Sequence, residues 1–190
     1  MHVILVAVVI ELDARVFRAL HDAMSGSLVL AAMALFTALG SGWSMLGLAP
    51  LVAAPRTRRF AVALLTVLTT TSLAVVAIKL VVRRVRPYAS LPGIHARVFA
   101  APTDFSFPSG HAAGSFAFAT FVALVLLRGE LRLSRMLIAF VLYVLAAGIA
   151  LSRVALGVHF PGDIAAGAAL GVVVGGAGAL VYRKGLAIVG

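Results

Sequence analysis

The sequence predicts an all-α fold: a polytopic membrane helical bundle with five to six transmembrane helices and an N-terminal interfacial helix. Three observations carry this. Hydrophobic residues make up 63% of the 190 and charged residues 12%, with a mean hydropathy of +1.13, which is more apolar surface than a soluble domain of this size can hide. Several uncharged runs are long enough for a bilayer, which takes about 20 residues per helix and accepts about 17. The basic residues stand in short clusters between those runs, as they do at membrane edges. A net charge of +10 would direct a soluble chain towards nucleic acid, but this clustering excludes that partner. Cysteine is absent, so disulfides and thiolate chemistry are excluded as well.

Taken in order, residues 1–10 are apolar but only half a bilayer long at about 1.5 Å per residue, and they lack the basic start and cleavage site of a signal peptide. They either dip into the interface or extend a tilted sixth helix. Across residues 11–24, Leu12, Val16, Phe17, Leu20 and Met24 recur at helical spacing, with Glu11/Arg15 and Arg18/Asp22 placed as i,i+4 ion pairs. This is the interfacial helix. Five uncharged runs follow, at residues 23–55, 60–78, 105–127, 136–152 and 164–182, and each is expected to supply one span. Five spans plus the interfacial helix therefore rank above six.

No repeat, low-complexity tract or linker interrupts the chain. Residues 1–190 are expected to form a single membrane-embedded domain, with residues 1–24 interfacial and the polar motifs confined to 79–163. The longest polar connection is 87–103, between the second and third spans. Gly167, Gly171 and Gly175 in the last span are four residues apart; such a stripe serves oligomerisation or packing inside one bundle, and the latter is favoured here.

Parity puts the ends of the second and fourth spans and the starts of the third and fifth on one side of the membrane, the motif side. Arg56, Arg58, Arg59, Arg128, Arg132, Arg135, Arg183 and Lys184 lie on the other, and the remaining eight of the 16 basic residues lie on the motif side. Several motif-side cations have a chemical use, so the Arg56–Arg59 side is the better cytoplasmic face. The motif side is expected to face outward.

Three motif-side stretches break the apolar pattern: Lys79-Leu-Val-Val-Arg-Arg-Val-Arg86-Pro87, Pro108-Ser109-Gly110-His111, and Ser152-Arg153 followed by His159-Phe160-Pro161-Gly162-Asp163. Lys79 and Arg86 are seven residues apart, almost two helical turns, so one helix face is expected to aim both at one anion, with Pro87 ending the helix at Arg86. Taken alone, they would more simply snorkel to lipid headgroups. Ser109 is placed to cap a helix, and Gly110 lets the backbone approach a ligand. Pro161 can open the last helix and set Asp163 in its first turn, where a carboxylate can accept the proton of His159 Nδ1 and leave Nε2 free to attack. Arg153 offers a planar fork for phosphate oxygens. Ionisable groups near hydrocarbon cost several kcal/mol unless they are used, so their convergence argues for function.

This combination resembles the type-2 phosphatidic acid phosphatase (lipid phosphate phosphatase) family, related to vanadium haloperoxidases, whose signature is K-x6-RP, PSGH and SR-x5-H-x3-D. All three parts are present, in order, from Lys79 to Asp163. The resemblance implies that Lys79, Arg86, Ser109, Gly110 and Arg153 bind the phosphoryl oxygens, His159 attacks phosphorus, His111 protonates the leaving oxygen and Asp163 orients His159. A loose phosphoryl transition state needs positioning and positive charge, which three fixed cations supply. A metal cluster is not expected: of six acids, Glu11, Asp13 and Asp22 fall on the interfacial helix and Glu130 on the opposite side. No cofactor is implied.

The expected activity is hydrolysis of a phosphate monoester or diphosphate of a membrane lipid through a phosphohistidine, in a bacterial cytoplasmic membrane. Phosphatidic acid, phosphatidylglycerophosphate and polyprenyl phosphates or diphosphates all fit. A lipid phosphotransferase would share the intermediate, and a non-enzymatic lipid-binding or transport bundle would retain the fold. Arg83, Arg84, His95, Arg97 and Asp104 are the hints to substrate: extra cations suit a diphosphate such as undecaprenyl diphosphate, whereas Gly110, where some such enzymes carry Asp, favours a monoester.

Overall fold

The computed structural model describes residues 2–41, 47, 49–98, 100–127 and 132–187, with side chains between 8 and 185. Arg128 and Glu130, both expected opposite the motif side, lie outside the described residues. Eight helices occur among those described: α1 (His2–Ala23), α2 (Ser27–Leu39), α3 (Ala49–Ala53), α4 (Pro55–Val82), α5 (Pro87–Ser90), α6 (Gly110–Leu126), α7 (Leu133–Ala155) and α8 (Pro161–Ala187). The fold is the expected all-helical membrane bundle. Helices α4, α7 and α8 have the length and composition of membrane spans, and α6 is a shorter apolar helix of 17 residues, about 26 Å long.

The first expected span is not a single helix. Gly40 closes α2 after only 13 residues, about 20 Å, and the apolar run resumes as the five-residue α3. The run over 23–55 was long and uncharged, but Gly40, Gly47 and Pro50 interrupt it, and residues 42–46 and 48 lie outside the described ones. Residues 1–10 are better placed, since α1 continues unbroken from His2 to Ala23. Its 8–23 part meets α2 at 114°, so the two make at most one bent span.

Helix α6 is the axis of the bundle, packed against α4, α7 and α8. Its small residues permit this. A Cβ on Gly167 would come within 2.5 Å of Ser109 O, one on Gly175 within 2.5 Å of Ala117 O, and one on Gly171 would strike Ala113 O. Four-residue spacing on α8 thus meets four-residue spacing on α6, and the glycine stripe serves packing within the chain.

Beyond this contact, Leu64, Val67 and Leu68 of α4, Ala117 and Phe121 of α6 and Ala179 of α8 form one apolar cluster. A second cluster lies at the other end, where Phe17 of α1 packs on Ile94, Val154 and Phe160. Phe17 is fully buried, whereas Leu12 and Val16 face outward. The amphipathic stripe of α1 is therefore divided between the bundle and its surroundings. One member of the predicted surface pairing, Arg15 to Glu11, forms at 2.5 Å.

Candidate active site

All three motif stretches converge at one end of the bundle on a cavity of about 720 Å³. Lys79, Arg86, Gly110, His111, Arg153 and His159 line it, and below them apolar side chains of α4, α6 and α7 continue the wall. Ser109 and Asp163 are wholly buried behind that wall. As expected, Ser109 caps α6, its Oγ accepting from Ala112 N at 3.4 Å, and Asp163 occupies the first turn of α8.

Lys79 and Arg86 do meet, though not along one helix as their spacing suggested. Helix α4 stops at Val82 because Arg83 takes a left-handed conformation (φ 51°), its N–H returning to Lys79 O. Arg86 is extended and precedes Pro87 at the start of α5, so the chain folds Arg86 back towards Lys79. Their common partner is Asp104: Lys79 Nζ donates to Oδ2 at 2.5 Å and Arg86 Nη2 to Oδ1 at 2.7 Å. Arg86 Nε also donates to Asp104 O at 2.8 Å, and Lys79 Nζ to Phe105 O at 2.6 Å. Burial would by itself raise the Asp104 carboxyl; the hydrogen bonds from Lys79 and Arg86 outweigh it and hold the group below the usual carboxylate value.

His159 lies in the turn between α7 and α8 and is 2% exposed. Arg86 Nη1 is 3.1 Å from its Nε2. A guanidinium only donates, so this Nε2 is the accepting nitrogen and the proton of the neutral ring is on Nδ1. Burial is the largest influence on the imidazole and pushes it down to about 4; Asp163 opposes this and the Arg86 charge adds to it. A neutral ring with its lone pair at Nε2 is the form a nucleophile requires. Nδ1 faces Asp163 Oδ2 at 3.5 Å, longer than a good hydrogen bond, as catalytic contacts often are in substrate-free proteins.

Asp163 is itself fixed from several directions. Oδ2 accepts from Ser106 Oγ and, at 2.9 Å, from Phe160 N, while Oδ1 accepts from Arg84 Nη1 at 2.8 Å. Arg84 Nη2 reaches Asp13 of α1 at 2.6 Å, and its guanidinium lies 4.1 Å from the centre of the Phe160 ring. Both terminal nitrogens of Arg84 are thus held by carboxylates, against the substrate-side place that its position in the sequence suggested. Arg153 donates through Nη1 to Thr37 Oγ1, while its buried Nε has no hydrogen-bond partner among the described residues. A donor left unsatisfied on a cavity wall is suited to an incoming oxyanion.

Sequence reasoning missed three of these residues as parts of the site. Ser106 was not singled out, Asp13 was assigned to the interfacial helix, and Arg84 was placed on the substrate side. Asp13 is 71 residues from Arg84 in the chain, and no local pattern links them.

Comparison with known proteins identifies the family. The PAP2 superfamily profile matches residues 60–185. Decaprenylphosphoryl-5-phosphoribose phosphatase of Mycobacterium tuberculosis is 40% identical over 135 residues, covering 70% of this chain and 68% of that protein. Among solved structures, the PAP2-type phosphatidylglycerolphosphate phosphatase of Bacillus subtilis superposes with a TM-score of 0.73 at 26% identity, over 93% of this chain and 85% of that one. LpxE of Aquifex aeolicus gives 0.70 at 28% identity, over 90% and 93%. With the signature residues gathered around one cavity and this profile spanning most of the sequence, the chain belongs to the PAP2 superfamily and is a membrane lipid phosphatase.

Proposed function

We propose that the chain hydrolyses a phosphate monoester on the head group of a membrane lipid, through a phosphohistidine at His159 and without a metal ion. The observation that carries this is the contact between Arg86 Nη1 and His159 Nε2 at 3.1 Å, which presents a neutral nucleophile beside a phosphate-binding cation. Lys79, Arg86, Arg153 and the backbone at Ser109 and Gly110 hold the phosphoryl oxygens. His159 Nε2 bonds to phosphorus as the ester P–O bond breaks, and His111 gives its proton to the leaving oxygen. Water then attacks phosphorus while His111 takes its proton, the N–P bond breaks, and inorganic phosphate leaves. The positive charge needed by a loose transition state comes from the side chains.

A monoester is favoured over a diphosphate because Arg84 is held by Asp13 and Asp163. Among monoesters, the mycobacterial relative directs attention to the 5-phosphate of a polyprenyl-linked ribose, and the apolar lower wall of the cavity suits a hydrocarbon chain. The arginines at the start of α4 and the basic residues at the end of α8 support a cytoplasmic location for the opposite end, which turns the cavity outward in the cytoplasmic membrane.

The test is phosphate release by the purified protein in detergent with excess chelator. The panel comprises decaprenylphosphoryl-5-phosphoribose, phosphatidylglycerophosphate, phosphatidic acid and undecaprenyl diphosphate. Release from a monoester with chelator present is the expected result. A requirement for added divalent metal, or a phosphoenzyme discharged by a lipid alcohol and not by water, would overturn it.

A further inference from the structure

We infer that Asp13, on α1, is a positioning residue for the nucleophile, acting through Arg84 and the first turn of α8. The inference rests on the proposed hydrolytic role of His159. Asp13 lies outside the stretch matched by the family profile, which begins at residue 60, yet both its oxygens are engaged at the site. Oδ2 accepts from Arg84 Nη2 at 2.6 Å and Oδ1 accepts from Gly162 N at 2.8 Å. Its side chain is 12% exposed, that of Arg84 22% and that of Asp163 0%.

The arrangement is a relay of fixed donors and acceptors. Arg84 bridges two carboxylates, so its Nη1 is aimed at Asp163 Oδ1 only while Nη2 is held by Asp13. Without that second anchor, the fork can rotate on its flexible stem, and Asp163 loses one of the contacts that set the plane of its carboxylate. That plane determines where Oδ2 meets His159 Nδ1. Asp13 also grips Gly162, the residue between Pro161 and Asp163, and so fixes the turn that carries Asp163. The space there is tight: a Cβ on Gly162 would come within 2.8 Å of Asp13 Oδ2. Outer groups that orient metal ligands typically change activity by about 10–100-fold when removed, and a group that orients a nucleophile from behind is expected to act on the same scale.

Asp13 touches none of the cations lining the cavity, so the effect belongs in turnover and not in substrate binding. Asp13→Asn keeps an acceptor for Gly162 N but replaces the anion facing Arg84. It is expected to lower kcat by about 10–100-fold with KM within about twofold, and to shift the nitrogen resonances of the His159 ring in substrate-free protein. Asp13→Glu, which restores the carboxylate, is expected to recover much of the kcat. Glu11→Gln, on the exposed face of the same helix, serves as the control for α1 itself.

A folded Asp13→Asn protein with wild-type kcat, a loss confined to KM, or unchanged His159 resonances would overturn the inference. So would a loss that appears only as less folded protein with normal turnover per folded molecule. Inactivity of the wild type on every lipid in the panel is a separate outcome that rejects the hydrolytic reading, and the resonances still test the relay.

Discussion

At the end of the bundle where α4 begins and α8 finishes, Leu64, Val67, Phe121 and Ala179 pack with the rings of Phe60 and Tyr182, and the cluster is apolar throughout. At the other end, Lys79, Arg86, Arg153, His159 and Asp163 are all at most 8% exposed, and their partners are chiefly carboxylates, carbonyls and each other. Burying a charge is unfavourable unless it is well paired. The polar end is therefore arranged for chemistry at some cost in stability, and the apolar end, with the close α6–α8 contact, offsets that cost. The two ends should consequently fail differently when altered.

The largest effect is expected from His159→Ala. Phosphate release should fall by at least about 10⁴-fold and no phosphoenzyme should be trapped, in protein that still folds in detergent. Turnover above background would contradict the assignment of the nucleophile. The complementary change is Phe121→Ala, which should lower stability by about 3 kcal/mol through the cavity it leaves and leave kcat per folded molecule within about twofold, the two sites being far apart. If Phe121→Ala instead removed activity in folded protein, the division between the ends would be wrong.

Acid should act on the polar end. His159 is pushed down to about 4 in the folded protein, against about 6.5 when unfolded. Between those values the unfolded chain takes up a proton that the folded one refuses, so stability declines as pH falls through this window and is unaffected by His159 above it. The full effect corresponds to about 3 kcal/mol. Asp104 acts in the same direction in a lower window: its folded value is depressed, so the stability it contributes is present above the usual carboxylate range and is lost as pH falls through its folded value. Melting temperatures between pH 7 and 5 should therefore fall more steeply for the wild type than for His159→Asn. Equal slopes would show that His159 is not held neutral by burial.

The helix packing was more legible in the sequence than the detailed geometry of the polar end. Glycines at 167, 171 and 175 signal a close helix contact because the requirement is local: no Cβ fits against Ser109, Ala113 and Ala117. The signature residues were legible for a similar reason, as fixed spacing within each stretch survives in the chain. What escaped was geometry created by folding. A left-handed arginine at position 83 ends α4 four residues before Pro87, where the residue type gives no warning, so Lys79 and Arg86 were wrongly placed on one helix face. The interruption of residues 23–55 was hidden by counting charge alone, which does not register Gly40, Gly47 and Pro50. Asp13 and Ser106 acquire their roles only when α1 and the loop before α6 close over the turn bearing His159.

Asp104 provides the smallest and sharpest test of how the polar end works. Its carboxylate binds both Lys79 and Arg86, the two cations proposed to receive a phosphoryl group, and its side chain remains 58% exposed at the cavity mouth. Substrate phosphate must share or replace these contacts, so Asp104 competes with the ligand even as it keeps the two cations together. Exposed ion pairs contribute up to about 1 kcal/mol, and removing the competing charge should therefore strengthen binding of inorganic phosphate as an inhibitor by about fivefold. Asp104→Asn retains hydrogen-bonding capacity and isolates the charge. Weaker phosphate inhibition in this variant would mean that Asp104 acts chiefly by assembling the cradle, and that the cations at this end depend on a protein carboxylate for their placement even when the anion arrives.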